Sequence, residues 1–313
     1  MKRIVLLLLS LAFCVTPSLA SAQSYVVAIF APSIDFKDGA ERNEYVSKVA
    51  AAFSRATGLS WNGQAFARAS DFESARANVD VVIVDSDYYI SKLSGLTPLA
   101  MLSGSSGVSR RMHLIAKKGA SDKLYNYRGK RLVLVSGSGQ NKKFLEATAL
   151  ANEASLGSYF GSVDEARDVR SALNAVELGK ADLTLAYDGY ASGFTNVYTS
   201  PSVGLPVIAL SSSRISGATL EKLKSAAKGL GISASSIISS SSAYSAGEAA
   251  NMRNASSSQK TTMSYALMDT QTTRVQVYST PLLPKRNPLT LNPAMVYTGP
   301  TLNSLDKKLD RKL

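Results

Sequence analysis

The sequence predicts an α/β protein with two wound α/β lobes, two crossing segments between them and an irregular C-terminal arm. Three observations support this prediction. Short apolar runs typical of buried strands alternate with helical patterns over residues 25–229. The alternation breaks at 103–118 and starts again beyond it. A second extended stretch, 200–210, follows the second set of elements. We therefore expect the chain to cross between the lobes twice.

The first 22 residues have the pattern of a bacterial export signal. Residues 1–3 are basic, 4–15 are apolar apart from one serine, and 20–22 (Ala-Ser-Ala) fit the small-residue cleavage rule. We expect cleavage near Ala22 and Gln23. The mature protein is then periplasmic or secreted, and no later stretch predicts a transmembrane segment.

The composition excludes several classes of site. Beyond the predicted signal the chain has no cysteine, and its single histidine is His113. Disulfides, thiolate metal sites and multi-histidine metal sites are therefore excluded. We expect no cofactor, no metal and no enzyme activity. The formal charge of +12 fits an anionic ligand or an anionic envelope surface, and no motif indicates nucleic-acid binding.

In the first lobe, caps and apolar runs define the elements. The helix predicted over 41–57 has one apolar face and is followed by Gly58, a typical helix-ending residue. Residues 70–73 (Ser-Asp-Phe-Glu) form a capping box and predict a second, short helix. Strands are expected over the runs 25–30, 62–67, 81–84 and 97–102.

The second lobe repeats this order. A capping box at 162–165 (Ser-Val-Asp-Glu) predicts a helix that continues to Gly179. A further helix is expected over 216–229, and another follows the strand at 131–135. Strands are expected over 108–117, 131–135, 182–187 and 203–210, the last broken by Pro206.

The C-terminal part is less regular. A helix is expected within 249–266, a strand over 273–278, and an irregular Pro- and Asn-rich stretch beyond it. The predicted division of the chain is a signal peptide (1–22), the first part of lobe 1 (23–108), lobe 2 (109–205), the return part of lobe 1 (206–280) and a C-terminal arm (281–313).

A Ser/Gly turn between a strand and a helix is the strongest candidate ligand contact. Residues 136–141 read Ser-Gly-Ser-Gly-Gln-Asn, and Lys142 and Lys143 follow. Free backbone N–H groups and the helix dipole make such a turn suitable for an anion. The alternative is that Ser138 or Asn141 only caps the helix. The candidate ligand-binding residues of this turn are Ser136, Ser138, Gly139, Gln140 and Asn141.

Polar residues follow other strands as well. Ligands of wound sheets bind outside the carboxyl ends of the strands, so these residues are candidates too. Asp85 and Asp87 either bind a ligand ammonium group or, more commonly for such residues, cap the next helix. Tyr187 either lines a cleft or packs under a loop. The further candidate ligand-binding residues are Ser33, Tyr88, Tyr187 and Asp188.

Several phrases of the chain carry a family resemblance. They are 127–131 (Tyr-Arg-Gly-Lys-Arg) before a strand, the basic crossing strand ending at 114–119, and Gly-Lys-Ala-Asp at 179–182. Over roughly 25–215 the sequence resembles periplasmic substrate-binding proteins of the phosphonate and phosphate ABC-transporter type. The resemblance implies a type 2 periplasmic-binding-protein fold, with 136–141 as the anion-binding turn and Tyr88 as a polar contact from lobe 1.

Two functions follow as hypotheses. The first is an exported, monomeric solute-binding protein that captures phosphate, a phosphonate or a sulfonate between its lobes and delivers it to an ABC permease. The second is an interaction or structural module of the cell envelope that reuses the fold. Acidic Asp35 and Asp38 in the first-lobe loop and the unplaced C-terminal arm motivate the second. A cleft filled by bulky side chains favours it.

Overall fold

The structure is a computed structural model that describes residues 24–137 and 140–257, without the side chain of Gln140. The predicted signal peptide, the strand at 273–278 and the C-terminal arm lie outside the described residues. No helix among the described residues is long and apolar enough to cross a membrane.

The described residues form eleven strands, which make up two sheets, and eight α-helices. In chain order these are β1 Tyr25–Phe30, α1 Gly39–Thr57, β2 Trp61–Ala65, α2 Ala69–Ala75, β3 Val81–Val84, α3 Ser86–Lys92, β4 Thr97–Ser103, β5 Ser109–Ala116, β6 Arg131–Val135, α4 Gln140–Thr148, α5 Leu156–Tyr159, β7 Ser162–Ala166, α6 Val169–Glu177, β8 Leu183–Tyr187, β9 Thr195–Gly204, β10 Val207–Leu210, α7 Gly217–Lys228, β11 Ser240–Ser242 and α8 Ala246–Ser257.

The first sheet has the strand order β11-β4-β10-β3-β1-β2. β1 runs parallel to β2 and β3, as the alternation of strands and helices predicted. β10 lies antiparallel between β3 and β4, and β11 pairs antiparallel with β4. The prediction of a parallel sheet is therefore confirmed for β1, β2 and β3. It is wrong for β10 and β11, which the returning chain adds in antiparallel orientation.

The second sheet has the order β7-β6-β8-β5-β9. β6 is parallel to β7 and β8, whereas β5 and β9 run antiparallel to each other and β5 runs antiparallel to β8. The fold class is confirmed: two α/β lobes, each built on its own sheet. The parallel strands β1 and β3 of one sheet and β6 and β8 of the other end at the space between the sheets.

The two crossings lie side by side. The chain leaves the first sheet after β4 and returns to it between β9 and β10, where Pro206 interrupts the strand. The Leu102 amide donates to the Pro206 carbonyl at 2.8 Å, and the Leu205 amide donates to the Val108 carbonyl at 2.8 Å. Two paired extended segments can bend together, which is the geometry of a hinge.

Local sequence explains the ends of α1. The Asp38 side chain accepts a hydrogen bond from the Glu41 amide at 2.9 Å, and the Glu41 carboxylate accepts one from the Lys37 amide. This reciprocal cap satisfies two of the otherwise unpaired N–H groups. At the other end, Gly58 adopts φ 77°, and its amide donates to the Ser54 carbonyl.

Three local predictions need correction. Residues 162–166 form β7 rather than the start of a helix, because they pair with β6, and Asp168 caps α6 instead, accepting from the Ser171 amide at 2.8 Å. The expected box at 70–73 does not form, since α2 begins after Arg68 without a side-chain cap. The short β11 in the Ser-rich segment was not expected.

Candidate functional site

A small cavity lies between the two sheets, at the ends of their parallel strands. Its volume is about 20 Å³. This is room for about one or two water molecules, since a buried water needs about 10–15 Å³ of such space. No lysine or arginine belongs to its described lining. The polar side chains that line it are those of Ser33, Asp85, Asp87, Ser136, Asn141 and Tyr187.

The first-lobe wall is acidic and internally hydrogen-bonded. Ser33 donates from its hydroxyl to Asp85 Oδ1 at 2.5 Å and from its backbone amide to Asp85 Oδ2 at 3.2 Å. Asp85 is buried. Burial, and then the negative charge of Asp87, raise the pKa of Asp85 to about 8. The Asp85 carboxyl thus takes the donors that Ser33 offers to the cavity.

Asp85 does not cap α3. It occupies the N-cap position, but its side chain makes no capping hydrogen bond. The preference for capping at this position was therefore wrong. The loop after β1 supplies two donors from Ser33, and the carboxyl turns toward them.

On the second-lobe wall, the turn after β6 contributes Ser136, Gly137 and Asn141 to the cavity. The Ser136 amide donates to the Ala166 carbonyl at 2.7 Å and its hydroxyl donates to Glu165 at 3.2 Å. Asn141 Nδ2 donates to the Val135 carbonyl at 3.4 Å. Ser138 and Gly139 lie outside the described residues, as does the side chain of Gln140. Lys142 pairs with Glu165 at 2.9 Å.

Two predicted contacts lie elsewhere. The structure places Tyr88 beneath the first sheet, where its ring packs against Phe30 and Phe72 and its hydroxyl donates to Glu73. Asp188 follows β8 but does not line the cavity, and its Oδ1 atom is buried without a hydrogen-bond partner.

Tyr187 does line the cavity. Its hydroxyl donates to the Gly204 carbonyl at 3.3 Å, which ties the end of β8 to the second crossing. Burial is the main cause that raises the pKa of Tyr187 well above its usual value, so the phenol is a neutral donor at physiological pH.

Direct contacts join the lobes beside the cavity. Arg170 on α6 pairs with Asp35 at 2.7 Å, and the Val169 amide donates to the Pro32 carbonyl at 3.0 Å. The Tyr190 hydroxyl accepts a hydrogen bond from the Asp35 amide at 2.8 Å. The acidic first-lobe loop is therefore explained by a cation from the opposite lobe.

Helix α8 bridges the lobes, which the sequence did not indicate. It packs on α3 of the first lobe and on α4 and β9 of the second. Ala249 belongs to the apolar cluster under the first sheet, whereas Met252 is buried and lines the cavity. The only signal in the sequence was an apolar helical pattern with no assigned partner.

The arrangement can hold a small group by hydrogen bonds. Within the described ranges no group of three or more His, Cys, Asp or Glu side chains is placed to hold a metal ion. His113 does not line the cavity. Its Nδ1 atom lies 3.1 Å from Thr199 Oγ1, where strand β5 pairs with β9. Binding between two closing walls is the chemistry that this geometry supports.

The sequence matches no known protein family and no curated protein. Solved structures do share its fold. The binding protein component of an ABC phosphonate transporter from Pseudomonas aeruginosa is 12% identical, with a TM-score of 0.59 over 75% of this chain and 85% of that one. PhnD1 from Prochlorococcus marinus in complex with methylphosphonate is 11% identical, with a TM-score of 0.59 over 75% of this chain and 97% of that one.

A Xanthomonas citri protein bound to ATP is 11% identical, with a TM-score of 0.53 over 74% of this chain and 95% of that one. At these identities the likeness shows the fold. The chain has a type 2 periplasmic-binding-protein fold and is structurally similar to phosphonate-transporter binding proteins, as the resemblance in its sequence implied.

Proposed function

We propose that this chain is an exported, monomeric solute-binding protein that captures a small oxyanion, such as phosphate, a phosphonate or a sulfonate, for an ABC permease. One observation carries the proposal: hydrogen-bonding residues from the strand ends of both sheets converge on one cavity. The shared fold supports it. The proposal includes the lobe boundaries predicted above. It also includes binding of the solute without catalysis.

The proposed contacts come from both walls. Ser33 and Tyr187 contribute hydroxyl groups, and the turn at 136–141 contributes Ser136 and Asn141. These donors bond to neighbouring protein groups in this structure, so each must change partner to reach the solute. Ser138, Gly139 and Gln140 are the further proposed contacts of the turn. The cavity is small and lies between lobes that touch each other beside it, so we expect the lobes to separate at their hinge before the solute enters.

For the solute to bind, Asp85 must then give up the Ser33 hydroxyl, which has a single proton to donate. With a pKa of about 8, its carboxyl is mostly protonated at pH 7 and does not repel an anion as a carboxylate does. A protonated Asp85 can also donate a hydrogen bond to a solute oxygen. We therefore expect the solute to bind more tightly at pH 6 than at pH 9.

The test is titration of the purified protein with a panel of phosphate, phosphonates and sulfonates, by calorimetry and thermal shift. A bound anion at 100 times its Kd adds about 2.7 kcal/mol to the free energy of unfolding. Ser136→Ala should weaken that binding about tenfold or more, because it removes a donor to a charged ligand. Ser70→Ala, an exposed serine on α2, is the matched control.

A second candidate is an envelope interaction module that reuses the fold. The observation that favours it is the filling of the cavity by Met252 and by the Ser33–Asp85 pair. If no anion of the panel stabilises the protein, oxyanion capture is rejected and this candidate leads. Pull-down from envelope extract with and without residues 281–313 then tests it: equal recovery of partners excludes recruitment by that segment.

A further inference from the structure

The end of the second sheet that lies opposite the cavity gathers two exposed segments. Ala116 at the end of β5 and Leu132 near the start of β6 both pair with Leu183 at the start of β8. Three adjacent strands thus begin or end together here. The segments that adjoin these ends, 117–131 and 177–182, are therefore neighbours in space.

Hydrogen bonds confirm that the two segments touch. Arg131 Nη2 donates to the Gly179 carbonyl at 2.9 Å, and Arg131 Nε donates to Asp182 Oδ2 at 3.0 Å. We refer to segments 117–131 and 177–182 together as the basic end.

The basic end has an excess of cations. Segment 117–131 contains six lysines and arginines and one aspartate, and Lys180 adds a seventh cation. Glu177 and Asp182 are the carboxylates of the second segment. All seven cations are exposed.

Few of these cations are neutralised by partners. Arg131 pairs with Asp182, and Lys123 pairs with Asp122 at 3.6 Å. In the part of the chain that the structure describes, the other five have no carboxylate oxygen within 4 Å. They are Lys117, Lys118, Arg128, Lys130 and Lys180.

An apolar side chain projects from the same end. Leu178 is 70% exposed, and it is the one large hydrophobic side chain exposed among the described residues. It follows α6 directly, next to Gly179 at φ 68°, whose carbonyl holds Arg131. A solvent-exposed leucine among cations matches a surface that is anionic outside and apolar beneath.

We propose that the basic end docks the protein on an anionic phospholipid surface, with Leu178 entering the headgroup layer. Unpaired lysines and arginines attract lipid phosphates, and the leucine gains by leaving water. Because the parallel strands β6 and β8 separate this end from the cavity, docking leaves the interlobe cleft free to open. The proposal does not depend on the identity of the solute.

The experiment is co-sedimentation with vesicles of phosphatidylglycerol and phosphatidylcholine, using protein expressed with its own leader so that the host processes it. We expect binding to mixed vesicles in 50 mM salt, weak binding in 300 mM salt and none to phosphatidylcholine alone. Lys117→Gln with Lys118→Gln should weaken binding about 25-fold, about fivefold for each cation. Leu178→Ser should weaken it about threefold to tenfold and leave its salt dependence unchanged.

Lys222→Gln with Lys228→Gln is the matched control, since it removes two exposed lysines from α7 of the first lobe. We expect the control to bind within twofold of the unmodified protein. Absence of binding to the mixed vesicles, or equal weakening by the two double variants, would overturn the proposal. Circular dichroism checks that each variant is folded. If the basic end instead binds an acidic protein, the protein does not bind the vesicles.

Discussion

At the scale of single residues, Asp85 is the group whose behaviour differs most from that of a surface carboxyl. Its pKa is about 3.9 in an unfolded chain and about 8 in the folded protein. The folded state therefore keeps the proton over a range in which the unfolded state has released it. The stability that this group contributes falls as the pH rises from about 4 to 8.

Asp85→Asn removes this dependence and keeps an oxygen that can accept from Ser33. As the pH rises from 5 to 8, the free energy of unfolding of the variant should increase by about 1–3 kcal/mol relative to that of the unmodified protein. This change corresponds to 1–2 units of the pKa shift. Urea unfolding at both pH values measures it. Asp71→Asn, at an exposed position, is the control, and a difference that does not change with pH would contradict the explanation.

The sequence could show that polar residues follow strands, but not which way they turn. Asp85 and Tyr88 are three residues apart, yet one lines the cavity and the other packs against Phe72. The outcome depends on Ser33, which lies 52 positions before Asp85 and donates to it twice. Such long-range donors leave no local pattern.

At the scale of elements, the contact between β9 and α8 leaves no spare room. A Cβ atom built on Gly204 would lie 2.6 Å from the Glu248 carbonyl oxygen. Gly204→Ala should therefore push α8 away from the second crossing and cost about 1–3 kcal/mol in the free energy of unfolding.

Chemical denaturation measures this cost, and hydrogen exchange shows whether amides of α8 lose protection. Gly95→Ala is the matched control, because a Cβ atom there meets no atom within 4 Å. Equal stability of the two variants would show that α8 is not held against Gly204.

Elements with strong local patterns could be predicted from sequence. β1, β3 and β6 lie where their apolar runs predicted, and α1 ends at the expected glycine. β7 could not be predicted, because residues 162–166 match a capping box while pairing with β6 decides their conformation.

At the scale of the whole molecule, the arrangement of the lobes depends on a few contacts beside the cavity. Asp35 is mostly buried, and one of its oxygens has no hydrogen-bond partner. Arg170→Ala should therefore leave an uncompensated carboxyl at the junction and favour separation of the lobes. Small-angle scattering should show a larger radius of gyration.

A companion substitution separates this effect from general destabilisation. Asp35→Asn added to Arg170→Ala should restore part of the closed population, since it removes the unpaired charge. Lys48→Ala disrupts an exposed pair with Glu44 on α1 and should change neither size nor closure. An unchanged radius of gyration in the Arg170 variant would argue against a role in closure.

The two-lobed architecture could be predicted because the strand–helix alternation occurs twice and is interrupted once. The helix that bridges the lobes could not, because the partners of α8 lie on elements from both halves of the chain. Which residues fill the space between the lobes is a property of the assembled fold.

For the proposed solute capture, the Asp35–Arg170 pair and the α8 bridge also affect the concentration range over which the solute binds. Both hold the two lobes together in the absence of a solute, so we expect only a fraction of molecules to be open and able to bind at any moment. The apparent Kd equals the intrinsic one divided by that fraction, and a receptive fraction of about 1% raises it about 100-fold. We therefore expect the proposed solute to be abundant rather than scarce.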